Sequence, residues 1–235
     1  AKDLIYRRRA EEYIKPKKKK PAIVEASPGK RSVAIVAWAG TKVLAPWEDH
    51  GWEIWSLNHR FDLYPRTDRH VEIHNLKKRK NKNSPYFQWL KANQEKVMLA
   101  EPIPELPNAQ LFPQKEIMDR FGSFFTNAVS WMIALALYEG VDELGLWGVD
   151  MAAGSEYEYQ LPSALYFIGV AVGMGVKVVI PPYSQIFDKT SEPDVEGNQK
   201  LNTLFYLGVA FGQGVKFQVP EECELFRMDK LYWLN

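Results

Sequence analysis

One cysteine, Cys223, stands in 235 residues. No internal disulfide can form from it and no cysteine-rich metal site can be assembled, which fits a reducing cytoplasm. No apolar run reaches the ~18 residues that a spanning helix needs, and the first residues lack the apolar centre of a secretion signal. Membrane insertion is therefore not expected. No D-x-D pair offers metal-binding carboxylates, and no full G-x-G-x-x-G phosphate fingerprint occurs. Histidine is confined to the first third, the last being His74.

Net charge is also nearly absent, at +1, but the charges are unevenly placed. Residues 1 to 83 hold 20 of the 30 Lys and Arg against 10 of the 29 acids, so the remainder is acidic. Arg7-Arg8-Arg9 and Lys17 to Lys20, broken by prolines, carry too little apolar content to pack. Residues 1–31 read as a flexible basic arm, ahead of a single α/β nucleotide-binding domain over 32–235. A second basic run, Lys77 to Lys80 with Lys82, follows an expected strand. Such clusters bind phosphate backbones by releasing counterions, and they also occur as solvated tails. DNA is thus a candidate partner of the arm and of Lys77–Lys82.

What is abundant is apolar sequence in short, punctuated blocks. Phe125 to Met151 is the most informative. Thr126 and Asn127 supply capping oxygens, an almost wholly apolar helix follows, and Gly140 closes it in the left-handed conformation. Leu144 to Trp147 then forms a strand that does not alternate, the mark of a sheet covered on both faces. Asp150 lies just beyond it. In parallel sheets ligands sit beyond the carboxyl ends of the strands, so Asp150 is a candidate catalytic residue, beside the plainer reading as a helix cap.

Three further runs predict parallel strands. Val33 to Ala37 leads into the small-residue turn Ala39-Gly40-Thr41, where backbone N–H groups can approach a phosphate. Trp52 to Leu57 ends at Asn58, and Arg69 to Ile73 ends at His74. Polar strand ends brought to one edge make a nucleotide site expected there. Beyond Asp150, Glu156 and Glu158 lie in a glycine-containing loop before a long apolar helix. They are candidates for catalysis or for favourable placement at a helix start.

The last third repeats itself. Tyr166 to Lys177 and Phe205 to Lys216 share a helix, a closing glycine and an expected strand, 39 residues apart. Their internal glycines predict close packing of helix against sheet. The expected fold is α/β, a Rossmann-like, mostly parallel sheet with helices on both faces.

Phe125 to Met151, the turn after the first strand and Asn58 together resemble bacterial sialyltransferases that use CMP-sugars. They also resemble 6-hydroxymethylpterin diphosphokinase-like proteins and phage proteins of unassigned function that carry a helix-strand-GVD pattern. The resemblance spans roughly residues 32 to 187. It implies nucleotide contacts at Ala39, Gly40, Thr41 and Asn58 and metal-independent transfer. The sialyltransferase histidine that follows the G-[IV]-D segment has no counterpart here.

The expected function is a nucleotide-sugar-dependent glycosyltransferase, with phage nucleic acid among the acceptors considered and the host cytoplasm as the location in that case. The donor is a substrate and no cofactor is expected. Asp150, Glu156 and His74 are the candidate bases. An ATP-dependent diphosphokinase, with Mg2+ held by Asp150 and Glu156, and a non-enzymatic nucleic-acid-binding protein are the alternatives.

Overall fold

The computed structural model describes residues 27–58, 61–76, 82–151, 155–187, 195–218 and 223–226, with backbone alone at 63, 155–158, 195–198 and 224. Most of the basic arm (1–26) and Lys77 to Lys80 lie outside these residues.

Seven strands form one parallel sheet. They are β1 (Ser32–Val36), β2 (Trp52–Leu57), β3 (Arg69–Glu72), β4 (Val97–Leu99), β5 (Gln110–Leu111), β6 (Glu143–Trp147) and β7 (Lys177–Val179). The order across the sheet is β5-β4-β3-β2-β1-β6-β7. The chain therefore winds outwards from β1 in one direction as far as β5, then returns to add β6 on the other side of β1. That reversal makes the β1–β6 boundary the switch point of the sheet.

The strands alternate into two cores. Val33, Ile35, Trp55, Leu57, Leu144 and Leu146 pack beneath helices α3 (Ala128–Tyr138) and α4 (Ser155–Gly173). On the other face, Ala34, Val36, Ile54 and Trp147 form one cluster with Trp52. Val97 and Leu99 meet Tyr86, Phe87 and Leu90 of helix α1 (Pro85–Ala92) in a second. The expected α/β architecture, with helices on both faces, is the observed one. Helix α3 is buried over all but its last residue, so its lack of an apolar stripe follows from cover on every side. Asn127 caps it, its side chain accepting from Ser130 N–H at 2.8 Å.

The amino edge of the sheet is closed by charge. Arg31 pairs with Glu53 and Glu139, and Arg69 pairs with Glu139 while lying over the Trp55 ring. Ser27 N–H donates to Glu143. Residues 27 to 31, read from sequence as the end of the arm, are thus bonded to the core.

Two expectations change. The internal glycines do not seat a helix on the sheet. Helix α5 (Val195–Gly212) runs parallel to α4, and Gly169 and Gly173 face Gly208 and Gly212. A Cβ on any of the four would collide with the backbone of the opposite helix. Among the described residues, the second copy of the repeat also makes no strand, while Val219 and Pro220 lie outside them. Residues 215–218 are irregular, whereas Lys177–Val179 in the first copy pairs with β6. In addition, β5 lies in the proline-rich segment where no strand was expected. Another short helix, α2 (Gln114–Phe121), follows it.

Candidate functional site

The turn after β1 and the segment after β6 are laced together. Ala37 N–H donates to the Trp147 carbonyl at 2.8 Å and Ala39 N–H to the Gly148 carbonyl at 2.9 Å. Gly148 N–H donates to Thr41 Oγ1 at 2.9 Å, and the Thr41 hydroxyl donates to Asp150 Oδ1, also at 2.9 Å. Gly148 is at φ +67°, and a Cβ there would strike the Ala37 carbonyl. Glycine is what lets the two segments come this close. Thr41 is fully buried and its hydroxyl is engaged in both directions, so it fixes the Asp150 carboxylate relative to the switch point.

The sequence-predicted residues fall along one edge. Ala39, Gly40 and Thr41 follow β1, Asn58 follows β2, His74 follows β3 and Asp150 follows β6. Thr41 and Asp150 touch. Asn58 and His74 belong to the next two strands along. Glu156 lies in the first turn of α4, with its side chain outside the described residues.

Backbone strain marks the same edge. The non-glycine residues at positive φ among the described residues are Asn58 (63°), Met151 (45°) and Tyr183 (70°). They follow β2, β6 and β7 respectively, all at carboxyl ends. Such conformations cost of order 1–3 kcal/mol each and concentrate where a protein holds a ligand. Asn58 Oδ1 is also buried, with no hydrogen-bond partner among the described residues. Trp38, 37% exposed, presents a ring beside the turn.

A buried polar chain, missed by the sequence reading, crosses β2, β3 and α1. Thr67 donates to Ser56 Oγ at 2.5 Å, Ser56 Oγ meets His70 Nδ1 at 2.8 Å, and His70 Nε2 meets the Tyr86 hydroxyl at 2.9 Å. Tyr86 donates to Glu72 Oε2 at 2.6 Å. Glu72 Oε1 accepts from the His74 backbone N–H at 2.9 Å and lies 2.6 Å from His74 Nδ1.

Burial holds His70 at a pKa of about 4, against a smaller opposing effect of the Glu72 charge, so the ring is neutral near pH 7. For Glu72, burial pushes upward, but the hydrogen bond and charge of His74 together with Tyr86 outweigh it and leave the carboxyl below its usual range. The signal was present in the sequence. His70 and Glu72 are polar at alternate positions, which places both on one face of β3, and His74 follows two residues beyond its end.

A cavity of about 630 Å3 lies elsewhere, lined by aromatic residues including Phe124, Tyr166, Phe217 and Phe226. It shares no residue with the strand-end site. Burial raises the Tyr166 hydroxyl to a pKa of about 12. Among the described residues no cluster of three His, Cys, Asp or Glu forms a metal site, and no helix is long and apolar enough to cross a membrane.

No family model and no curated protein matches this chain. Among solved structures, a match is the sialyltransferase CstII from Campylobacter jejuni in complex with a substrate analogue, cytidine-5'-monophosphate. It is 15% identical, the alignment covers 68% of this chain and 83% of that one, and the TM-score is 0.42.

Proposed function

We propose that the protein is a nucleotide-sugar-dependent glycosyltransferase whose donor lies across the carboxyl ends of β1, β2 and β6. The observation that carries this reading is the Asp150 carboxylate, tied by Thr41 to the place where the strand order reverses. Ligands of open parallel sheets bind at that position. Asn58 supplies an acceptor that no described protein group bonds. A buried unpaired acceptor costs about 1–3 kcal/mol, and a base amino group or a ribose hydroxyl of the ligand recovers it.

In the reaction, the acceptor hydroxyl attacks the anomeric carbon, its proton passes to Asp150, and the bond to the donor phosphate breaks. Asp150 suits the proton-taking role because its other partner is fixed. The Thr41 hydroxyl holds Oδ1 without supplying charge.

A thermal-shift screen of the full chain with CMP-, UDP- and GDP-sugars and with Mg-ATP tests the reading, since a ligand of the native state raises its stability. A rise with one nucleotide-sugar supports it. A rise with Mg-ATP alone moves the assignment to a diphosphokinase, and no rise with any of them removes the nucleotide site.

A further inference from the structure

The repeat in the last third sets two lysines at equivalent positions, 39 residues apart, and the fold treats them differently. Each lies two residues after a glycine at positive φ, Lys177 after Gly175 and Lys216 after Gly214. Lys177 opens β7 and pairs with the buried carboxylate of Glu143. Lys216 belongs to the irregular residues 215–218 and is exposed, with no ion pair among the described residues. It lines the aromatic cavity of about 630 Å3 instead. The charge that the first copy spends on the sheet is thus left over in the second, beside an apolar hollow.

That hollow is built from parts of the chain far apart in sequence. Phe124 comes from the loop between α2 and α3, Tyr166 from α4, Phe211 from α5, and Phe217 and Phe226 from beyond α5. Tyr166 meets Phe124 and Phe226 edge to face, at interplanar angles of 81° and 89° with centroids 5.9 and 5.5 Å apart. The rings brace one another, so the wall stands before any ligand arrives. The volume falls within the ~300–1,000 Å3 of small-molecule sites. No acidic residue lines the cavity, and the Tyr166 hydroxyl makes no hydrogen bond among the described residues. A positive charge and an unused hydroxyl on an apolar lining are complementary to an anion that carries an apolar body. The near-parallel ring pair, Phe217 and Phe226 at 23°, has centroids 6.4 Å apart. A flat ring needs roughly 7–8 Å to enter between two others, so this pair admits none, whereas a flexible chain follows the wall.

We propose that this cavity binds an alkyl carboxylate, with the chain against the aromatic wall and the carboxylate paired with Lys216. Binding is non-covalent, and the cavity shares no residue with the strand-end edge. The inference therefore stands or falls separately from the transferase reading.

The test is calorimetry of the full chain with octanoate, decanoate and dodecanoate, all below the concentrations at which they form micelles, and with 1-decanol as the neutral counterpart. One site per chain is expected, with affinity rising by up to about four-fold for each added methylene. Decanoate should bind more tightly than decanol. Lys216→Gln should remove that advantage, a loss of up to about five-fold that shrinks as salt is added, while decanol binding is kept. Phe217→Asp, which sets a like charge in the wall, should abolish binding of the carboxylates. Lys216 is exposed, so its variant carries the test if Phe217→Asp fails to fold. No saturable binding of any carboxylate, an affinity that ignores chain length, equal affinity for decanoate and decanol, or undiminished decanoate binding in Lys216→Gln overturns the proposal. Nucleotide binding should be at the parent's level in Lys216→Gln, so a failure here leaves the strand-end site untouched.

Discussion

His70 and Tyr86 lie 2.9 Å apart, Nε2 to hydroxyl, and that one contact settles where the protons of the buried chain sit. Tyr86 spends its hydrogen on Glu72 and must accept from His70, so the neutral ring is protonated on Nε2 and accepts from Ser56 at Nδ1.

Acid should therefore unfold the protein through this ring. The folded pKa of about 4 lies below the ordinary 6.5, so between those values the unfolded chain binds more protons. The contribution is complete above about pH 6.5 and is lost as pH falls towards 4, amounting to roughly 3 kcal/mol over the whole window. The lowered carboxyl of Glu72 adds a loss in the same direction below its own ordinary range. Urea denaturation at pH 7.5, 5.5 and 4.5 should show the decline, and His70→Gln should flatten it. Equal slopes in parent and variant would assign the window to other groups.

Thr41→Val keeps the shape of the side chain and removes the hydroxyl. Gly148 N–H is then stranded in a buried place, at a cost of about 1–3 kcal/mol, and Asp150 loses its tether. Thr41→Ser should restore most of the stability. If valine is tolerated at no cost in a denaturation curve, the lacing of the two loops contributes nothing.

Asp150→Asn keeps an oxygen for Thr41 and removes the basic one. Turnover should fall by about 100-fold or more with nucleotide binding largely kept, the low end for loss of a general base. A variant that works at the parent rate moves the proton-taking role to Glu156 or to His74.

The seam between α4 and α5 sets two effects against each other. Alanine is a better helix former than glycine by about 1 kcal/mol. At Gly169 or Gly208, however, its methyl group meets the Phe205 or Tyr166 carbonyl of the facing helix. Overpacking costs typically about 1–3 kcal/mol, and with rigid backbone as the obstacle it should win. Gly169→Ala and Gly208→Ala are each expected to lower the melting temperature. A rise in either would mean that the helices separate without penalty.

Removal of residues 1–26 tests the expectation, drawn from the basic arm, that nucleic acid is a partner. DNA affinity measured at several salt concentrations should fall, and its dependence on salt should flatten. Unchanged affinity would leave the lysine run as a solvated tail.

The parts legible in the sequence were those governed by local pattern. Trp52 to Leu57 was delimited as found because its residues alternate and the polar Asn58 ends the run. Asn127 and Gly140 delimited α3 because capping chemistry is local. Asn58, His74 and Asp150 fall along one edge, as expected, since parallel strands leave no other place for their ends. The glycine seam was misplaced because a small residue records that something comes close without saying what. The polar chain was missed for a different reason. Thr67, Ser56 and Tyr86 are unremarkable singly and acquire meaning only when sheet order puts β2 beside β3 and α1 above them.

The hydrogen bonds from Thr67 to Glu72 all point the same way, donor to acceptor, and this gives the protein's interior a sense of direction like that of a poled dielectric. No single link can be turned round alone. Reversing the Tyr86 hydroxyl leaves it facing the hydrogen on His70, so the ring must change tautomer, and then Ser56 and Thr67 must swing in sequence. The charge at the end of the chain is therefore registered four side chains away, at Thr67, without any backbone atom having to move.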